Sequence, residues 1–231
     1  MKRVRTAALL LRMVPYGETD AVTTFLTEAI GKVAAIARGA RKSSKRFAGA
    51  LEPIHTLEIE FEDRGRELVT LKEASIVGPR LGVAQSLEAL EVAGAALRWA
   101  RALCPVRTPE PDAFSALTSL LDALDRGAAP RGELAIVGLR LLSATGFGLE
   151  LDQCVQCGRA CPPDRSACVD PARGGLVCME CGGARARFHP PVRAKAREAL
   201  RGAAVVFDAA ESDEVVRLVE IALAAHAEIE S

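Results

Sequence analysis

Residues 31–47 read GKVAAIARGARKSSKRF, and this stretch carries the main signal for both the fold and the chemistry of the chain. Its first seven residues are small or aliphatic except for Lys32, a composition that is typical of a short strand. Its second half places five cations within nine residues and no acid among them: Arg38, Arg41, Lys42, Lys45 and Arg46. Because burial would strip an unpaired charge of its hydration, this segment stays in water or meets an anionic partner. We therefore predict a strand that runs into an exposed cationic loop.

Other predicted strands lie on both sides of this loop. Residues 21–27 are dense in β-branched and aromatic residues, and a connection of hairpin length separates them from residues 32–37. Residues 51–61 alternate polar and apolar, and residues 4–14 and 67–77 add two apolar runs. Five short strands without an intervening helix predict a small barrel. An OB-fold is the commonest such barrel with basic loops, and an SH3-like barrel or an open meander is the alternative.

The charges of this region are distributed unevenly. The whole chain is neutral, with 30 basic and 30 acidic residues. Residues 1–50 nevertheless carry ten bases against three acids, while residues 51–76 carry three against seven. An uneven charge distribution of this kind can attract a polyanion to one face of the protein. Arginine and hydroxyl groups donate hydrogen bonds to phosphate oxygens. We interpret the loop as a nucleic-acid contact, with a plain solvated loop as the alternative. The candidate residues are Lys32, Arg38, Arg41, Lys42, Ser43, Lys45, Arg46 and Phe47, whose ring either stacks on bases or belongs to the core.

From about residue 85 the apolar period becomes helical. Three helices are predicted near residues 87–104, 113–125 and 132–143, followed by two more near 192–200 and 211–229. The predicted fold is thus α+β and multidomain: an OB-fold domain over residues 1–79, a helical bundle over 80–150 and 188–231, and a zinc module over 151–187. Trp99 is predicted to belong to the helical core, and so is Tyr16 to the barrel core.

Four cysteines form two pairs with the spacing C-x2-C-x20-C-x2-C: Cys154, Cys157, Cys178 and Cys181. Two residues between ligands let one tight turn present both sulfurs, and the glycine after each pair tolerates a left-handed backbone. Four thiolates fill a tetrahedral shell, so we predict one structural Zn²⁺. Cys161 and Cys168 are the alternative ligands, and Cys104 is predicted to be an apolar core residue.

Several classes of function are not supported by the sequence. No apolar run reaches the ~18 residues of a membrane span, and the cysteine usage fits a cytoplasmic protein. The Gly31-Lys32 pair lacks the other residues of a phosphate-binding loop, and the histidines do not have metalloprotease spacing. We therefore expect a protein that is not an enzyme and has no small-molecule substrate.

Taken together, these motifs resemble the RecO family of bacterial recombination mediators. The resemblance rests on residues 15–20 (PYGETD), 25–28 (FLTE), 38–42 (RGARK), 51–53 (LEP) and 68–71 (LVTL). It continues through residues 140–142 (RLL), Gly146-Phe147 and the cysteine pairs around Gly174-Gly175, in the same order along most of the chain.

The resemblance implies a role in recombinational DNA repair. It implies binding of single- and double-stranded DNA, annealing of complementary strands, and action with RecR and single-stranded-DNA-binding protein so that RecA can load. It also implies a cytoplasmic, nucleoid-associated protein. The alternative hypothesis is a zinc-containing adaptor whose basic loop binds acidic protein tails.

Overall fold

The computed structural model describes residues 2–40, 42, 47 and 49–226. Its internal contacts divide the chain into two compact units, Met1–Ala128 and Ala129–Ser231. The first unit contains a barrel and two helices, and the second contains three helices together with the cysteine-rich segment. This grouping differs from the predicted one, in which all helices shared a single bundle.

Five strands form the barrel: β1 (Lys2–Tyr16), β2 (Asp20–Thr27), β3 (Gly31–Ala37), β4 (Thr56–Asp63) and β5 (Leu68–Gly78). They close in the order β1-β2-β3-β5-β4, and β4 returns to pair with β1. Neighbouring strands are antiparallel except for the parallel pair of β3 and β5. The predicted OB-fold is therefore confirmed, and closure of the sheet excludes the open meander.

The barrel core follows from the alternation of side chains along each strand. In β3, Val33, Ala35 and Ala37 are buried while the residues between them are partly exposed. Successive side chains of a strand point to opposite faces, so a period of two places one set inside. Phe25 and Phe61 fill the same interior, and both rings are fully buried.

Strand β4 begins five residues later than predicted. Pro53 supplies no amide donor, and Ile54 has a φ of +79°, which a β-branched residue adopts only under constraint. Ala50 and Leu51 instead lie buried in the barrel core as part of the loop that precedes β4. The period-two pattern therefore starts at Thr56.

Two helices belong to the barrel unit, α1 (Leu87–Leu103) and α2 (Pro111–Asp125). The Ser86 hydroxyl caps α1 by accepting from the Ala89 amide, and Trp99 is 9% exposed, as predicted for a core residue. The β2–β3 turn contacts the α1–α2 connection, where the Arg107 amide donates to Lys32 O at 2.9 Å. This contact ties the barrel to its two helices.

The second unit contains the remaining elements: α3 (Pro130–Ala144), β6 (Glu150–Cys154), β7 (Ala167–Asp170), β8 (Gly175–Leu176), β9 (Ala186–Phe188), α4 (Pro190–Leu200) and α5 (Ala209–His226). The strands form one small sheet in the order β6-β8-β7-β9, and α3 packs on α4 and α5. The predicted helices are confirmed, although residues 227–229 of the last one lie outside the described range. Within that range, no helix has the length and apolar character of a membrane span.

Candidate nucleic-acid interface and metal centre

A groove on the barrel brings cations from separate strands together. Its volume is about 410 Å³. It is lined by Ile36, Arg38, Glu62, Arg64, Arg66, Leu68, Thr70, Leu71 and Lys72. Arg38 follows β3 directly, whereas Arg64 and Arg66 belong to the β4–β5 turn, and the three arginines are exposed. The parallel pairing of β3 with β5 explains why residues so distant in the chain share one groove.

The buried carboxylate of Glu62 holds two of these cations in place. Glu62 is 4% exposed, and its carboxylate accepts from Arg64 Nε at 2.6 Å and lies 2.9 Å from Lys72 Nζ. The hydrogen bond from Lys72, and then that from Arg64, lowers the pKa of Glu62 below its ordinary value of 4.5. The groove thus presents fixed positive charge, because a buried anion keeps the two cations in place.

The turn that carries Arg64 and Arg66 is itself anchored. The Asp63 carboxylate accepts from Arg107 Nη1 at 2.7 Å and from the Gly65 amide at 2.8 Å. Arg107 Nη2 also donates to Arg66 O at 2.6 Å. The Arg107 hydrogen bond is the main reason why the pKa of Asp63 is lowered. These contacts fix the backbone of the turn while its two arginine side chains reach the groove.

The base of the cationic loop is held by Asp20. Its Oδ1 accepts from the Gly39 amide at 2.8 Å and from Thr19 Oγ1 at 2.9 Å, which joins the β1–β2 turn to the residue after Arg38. Lys42 is exposed, whereas the predicted contacts Arg41, Ser43, Lys45 and Arg46 lie outside the described residues.

Two sequence predictions about individual side chains are wrong, and a third side chain has a structural contact that was not predicted. Phe47, a candidate for stacking on bases, is 2% exposed and belongs to the barrel core, so its ring does not face a strand. Tyr16, expected in the core, is 60% exposed. The Lys32 ammonium donates to Arg101 O at 2.7 Å, near the C-terminal end of α1, where carbonyl groups attract cations. Lys32 therefore links the barrel to α1, and its contact with DNA stays a prediction.

Sequence reasoning also missed three groove residues: Arg64, Arg66 and Lys72. Residues 63–66 read DRGR and were interpreted only as a turn. Two cations on either side of a glycine are a sign of an exposed basic turn. The local sequence does not show, however, that this turn lies beside Arg38. Lys72 lies in a strand of mixed charge and carries no distinguishing pattern.

The four predicted ligands meet in the second unit. The sulfur atoms of Cys154, Cys157, Cys178 and Cys181 all lie within 4.8 Å of one another. The Cys157 and Cys178 sulfurs are 3.7 Å apart, too far for a disulfide bond at ~2.0 Å but close to the ~3.8 Å that tetrahedral Zn–S bonds of about 2.3 Å require. All seven cysteines are unpaired. The donor set therefore fits a metal ion with four thiolate ligands.

Each cysteine pair lies in a tight turn, here called a knuckle, that has the expected backbone. Gly158 and Gly182 have φ values of +71° and +96°, which confirms the predicted left-handed positions. The Gly158 amide donates to Cys154 O at 2.9 Å, and the Gly183 amide donates to Cys178 O at 3.0 Å. In both pairs the chain turns back on its first ligand, so two sulfurs point to one centre.

Backbone amides and crowding set the acidity of the thiols. The Cys178 amide, followed by those of Cys157 and Gln156, lowers the pKa of Cys154 to about 6. Hydrogen bonding with Cys178 and Cys157 raises the pKa of Cys181 to about 12. Ionisation of Cys154 is thus favoured and that of Cys181 is disfavoured, and a bound cation favours the thiolate form of both.

The other cysteines lie outside this cluster. The Arg193 guanidinium, which is 1% exposed, donates to the Cys161 sulfur and to carbonyl oxygens beside it. Cys168 lies 3.8 Å from Met179 Sδ. Cys104 is 1% exposed, and burial raises its pKa to about 11, in agreement with the predicted apolar role.

Comparison with known proteins finds two family models that together cover nearly the whole chain. The family described as "Recombination protein O N terminal" matches residues 1–80, and "Recombination protein O C terminal" matches residues 84–230. The chain belongs to the RecO family. The RecO resemblance predicted from the sequence motifs is therefore confirmed, and its two family regions meet just after β5.

Individual proteins with the same family name align with this chain over most of their length. A "DNA repair protein RecO" of Anaeromyxobacter sp. is 38% identical over 200 residues, covering 86% of this chain and 78% of the relative. The RecO of Geobacter sulfurreducens is 34% identical over 233 residues, covering 98% and 93%. That of Myxococcus xanthus is 34% identical over 222 residues, covering 87% and 90%.

Proposed function

We propose that this chain is a non-enzymatic recombination mediator that binds single- and double-stranded DNA and anneals complementary strands. The groove of Arg38, Arg64, Arg66 and Lys72 beside the cationic loop is the observation that supports this proposal. We also propose RecR and single-stranded-DNA-binding protein as partners and loading of RecA as the outcome, which membership of the RecO family supports. The protein acts in the cytoplasm, at the nucleoid.

The charges of the groove explain how it binds a strand. Phosphates of the strand meet guanidinium and ammonium groups and release their condensed counterions, which drives binding at low salt. Neutralised strands also repel each other less, which favours annealing. Leu68, which is 39% exposed, offers an apolar surface beside the cations.

The experiment that tests this proposal reverses the charge of the loop. We expect Arg38→Glu combined with Arg41→Glu and Lys42→Glu to weaken oligonucleotide binding by at least about tenfold and to reduce the log–log salt slope by about 2. The measurement is fluorescence anisotropy of a labelled oligonucleotide across a salt series.

A matched control changes the net charge equally at exposed positions that do not line the groove: Arg98→Glu, Arg126→Glu and Arg165→Glu. Equal affinity of the loop variant and this control would contradict the proposed interface. A labelled polyglutamate peptide that displaces the oligonucleotide with comparable affinity would instead favour the adaptor hypothesis.

We further propose that the four-cysteine cluster binds one structural Zn²⁺ through Cys154, Cys157, Cys178 and Cys181. All four positions of a tetrahedral shell are then protein ligands, so the ion holds the two knuckles together and has no open position for a reactant. Elemental analysis of the purified protein measures the metal. We expect Cys154→Ser and Cys178→Ser each to lose the metal and to lower thermal stability.

A further inference from the structure

A second cationic groove lies wholly within the Ala129–Ser231 unit. It consists of two adjoining cavities of about 630 and 530 Å³, which share Arg185, Ala186, Arg187 and Ile221. One wall is formed by β9 and the residue before it, and the other by α5. The second knuckle reaches one end of the groove through its two glycines.

The arginines of this groove are available for a ligand. Arg185, Arg187 and Arg217 are exposed, and among the described residues none of their side chains has a hydrogen bond or an ion pair. The acidic residues of the walls already have partners. Asp170 pairs with Arg173, Asp213 pairs with Arg131, and Glu214 contacts His189 at 2.7 Å. The groove therefore presents an unbalanced positive charge.

The other basic residues that follow the cysteine module differ from the arginines of the groove because they are buried or have acidic partners. Arg193 is buried, and Lys195 pairs with Glu211. Arg197 and Arg201 both contact Asp152. These cations have acidic partners within the unit or are buried, although Arg201 is exposed. Among the basic residues from 185 to 201, those that are neither buried nor paired with an acid are Arg185 and Arg187.

Three arginines along one groove suit a polymer of repeated negative charge. Arg185 directly precedes β9, Arg187 lies within it, and both line the two cavities, while Arg217 of α5 lines one of them. Each planar guanidinium donates two parallel hydrogen bonds to a phosphate. Ile221, which is 41% exposed, and Leu218 supply an aliphatic floor against which sugars and bases can lie.

We propose that this groove binds a second nucleic-acid strand through its phosphates, with Arg185, Arg187 and Arg217 as the contacts. This inference rests on the proposed function, because it assigns the second of the two strands that annealing requires. Each strand is then neutralised by a different unit of one chain, and binding of the first does not occupy the site of the second.

The test is Arg185→Ala combined with Arg187→Ala and Arg217→Ala in the full chain. The control removes equal charge elsewhere, through Arg98→Ala, Arg126→Ala and Arg165→Ala. We expect the wild type to bind two single strands of about 15 nucleotides per chain at low salt, and the groove variant to bind one. Annealing of labelled complementary strands, followed by energy transfer, should slow by at least about tenfold in the groove variant alone.

The outcomes separate this inference from the proposed function. A wild type that binds no oligonucleotide overturns both. A wild type that binds only one strand, or a groove variant that anneals as fast as its control, overturns the second site and leaves the loop interface standing. A groove variant that keeps two strands but no longer binds labelled polyglutamate shows a peptide site and also overturns the inference.

Discussion

At the scale of single residues, Glu62 shows how a negative group can support a surface for negative ligands. It lies buried beneath the groove, and its two cationic partners extend above it. In the sequence, an acidic residue close to basic ones indicates that their positive charge is partly neutralised. In the folded barrel the hydrogen bonds of Glu62 hold Arg64 and Lys72 in place, which in the proposed function lowers the entropic cost of binding phosphate.

Glu62 also predicts a dependence of stability on pH. Its pKa is lower in the folded barrel than its ordinary value of 4.5, so the stabilisation is complete above that value and is lost as pH falls through the folded pKa. We expect Glu62→Gln to lower the melting temperature at pH 7 and to flatten the decline below pH 4.5. Thermal melts across a pH series measure both effects.

The matched control for this experiment is Glu73→Gln, because Glu73 is an exposed residue of β5. Its melts should follow those of the wild type. Parallel melting curves for the Glu62 and Glu73 variants would show that the buried ion pairs contribute no pH-dependent stability.

At the scale of elements, the β2–β3 turn determines how the barrel meets its helices. Gly31 has a φ of +74°, and a Cβ there would lie 1.8 Å from the Thr108 carbonyl oxygen. The next residue accepts from Arg107 and donates to α1. Glycine is therefore required twice, for the backbone conformation and for the close approach of the α1–α2 connection.

Replacing that glycine tests the contact. We expect Gly31→Ala to lower the free energy of unfolding by more than about 2 kcal/mol, because backbone atoms must move in addition to the φ strain. Gly17→Ala is the control, since Gly17 has a φ of +58° and open space around it, and should cost about 1 kcal/mol. Urea unfolding of both variants measures the difference, and equal costs would contradict the docking role of the turn.

At the scale of the whole molecule, the chain consists of two compact units with different sources of stability. The Met1–Ala128 unit has a closed barrel with a continuous apolar core. The Ala129–Ser231 unit contains a sheet of strands two to five residues long, and its two cysteine pairs place four sulfurs within 4.8 Å of one another. Short strands bury little surface, so a bound metal has more to contribute there.

Metal removal should therefore act on one unit. We expect a strong chelator to lower one thermal transition by about 10 °C or more while the other moves by less than about 2 °C. Calorimetry measures both transitions, and readdition of Zn²⁺ should restore the first. Equal shifts in both transitions, or none in either, would contradict a structural metal confined to the second unit.

The sequence by itself determined the elements and the ligands. Period-two and helical patterns are local, as is the spacing of Cys154, Cys157, Cys178 and Cys181, so strands, helices and the sulfur cluster followed from nearby residues. Only the tertiary structure decided which side chains share a surface. Arg38 and Arg64 line one groove because β3 pairs with β5, and Phe47 is buried in the barrel core with Ala50 and Leu51. Such contacts depend on long-range packing, which overrides the local preference of any single residue.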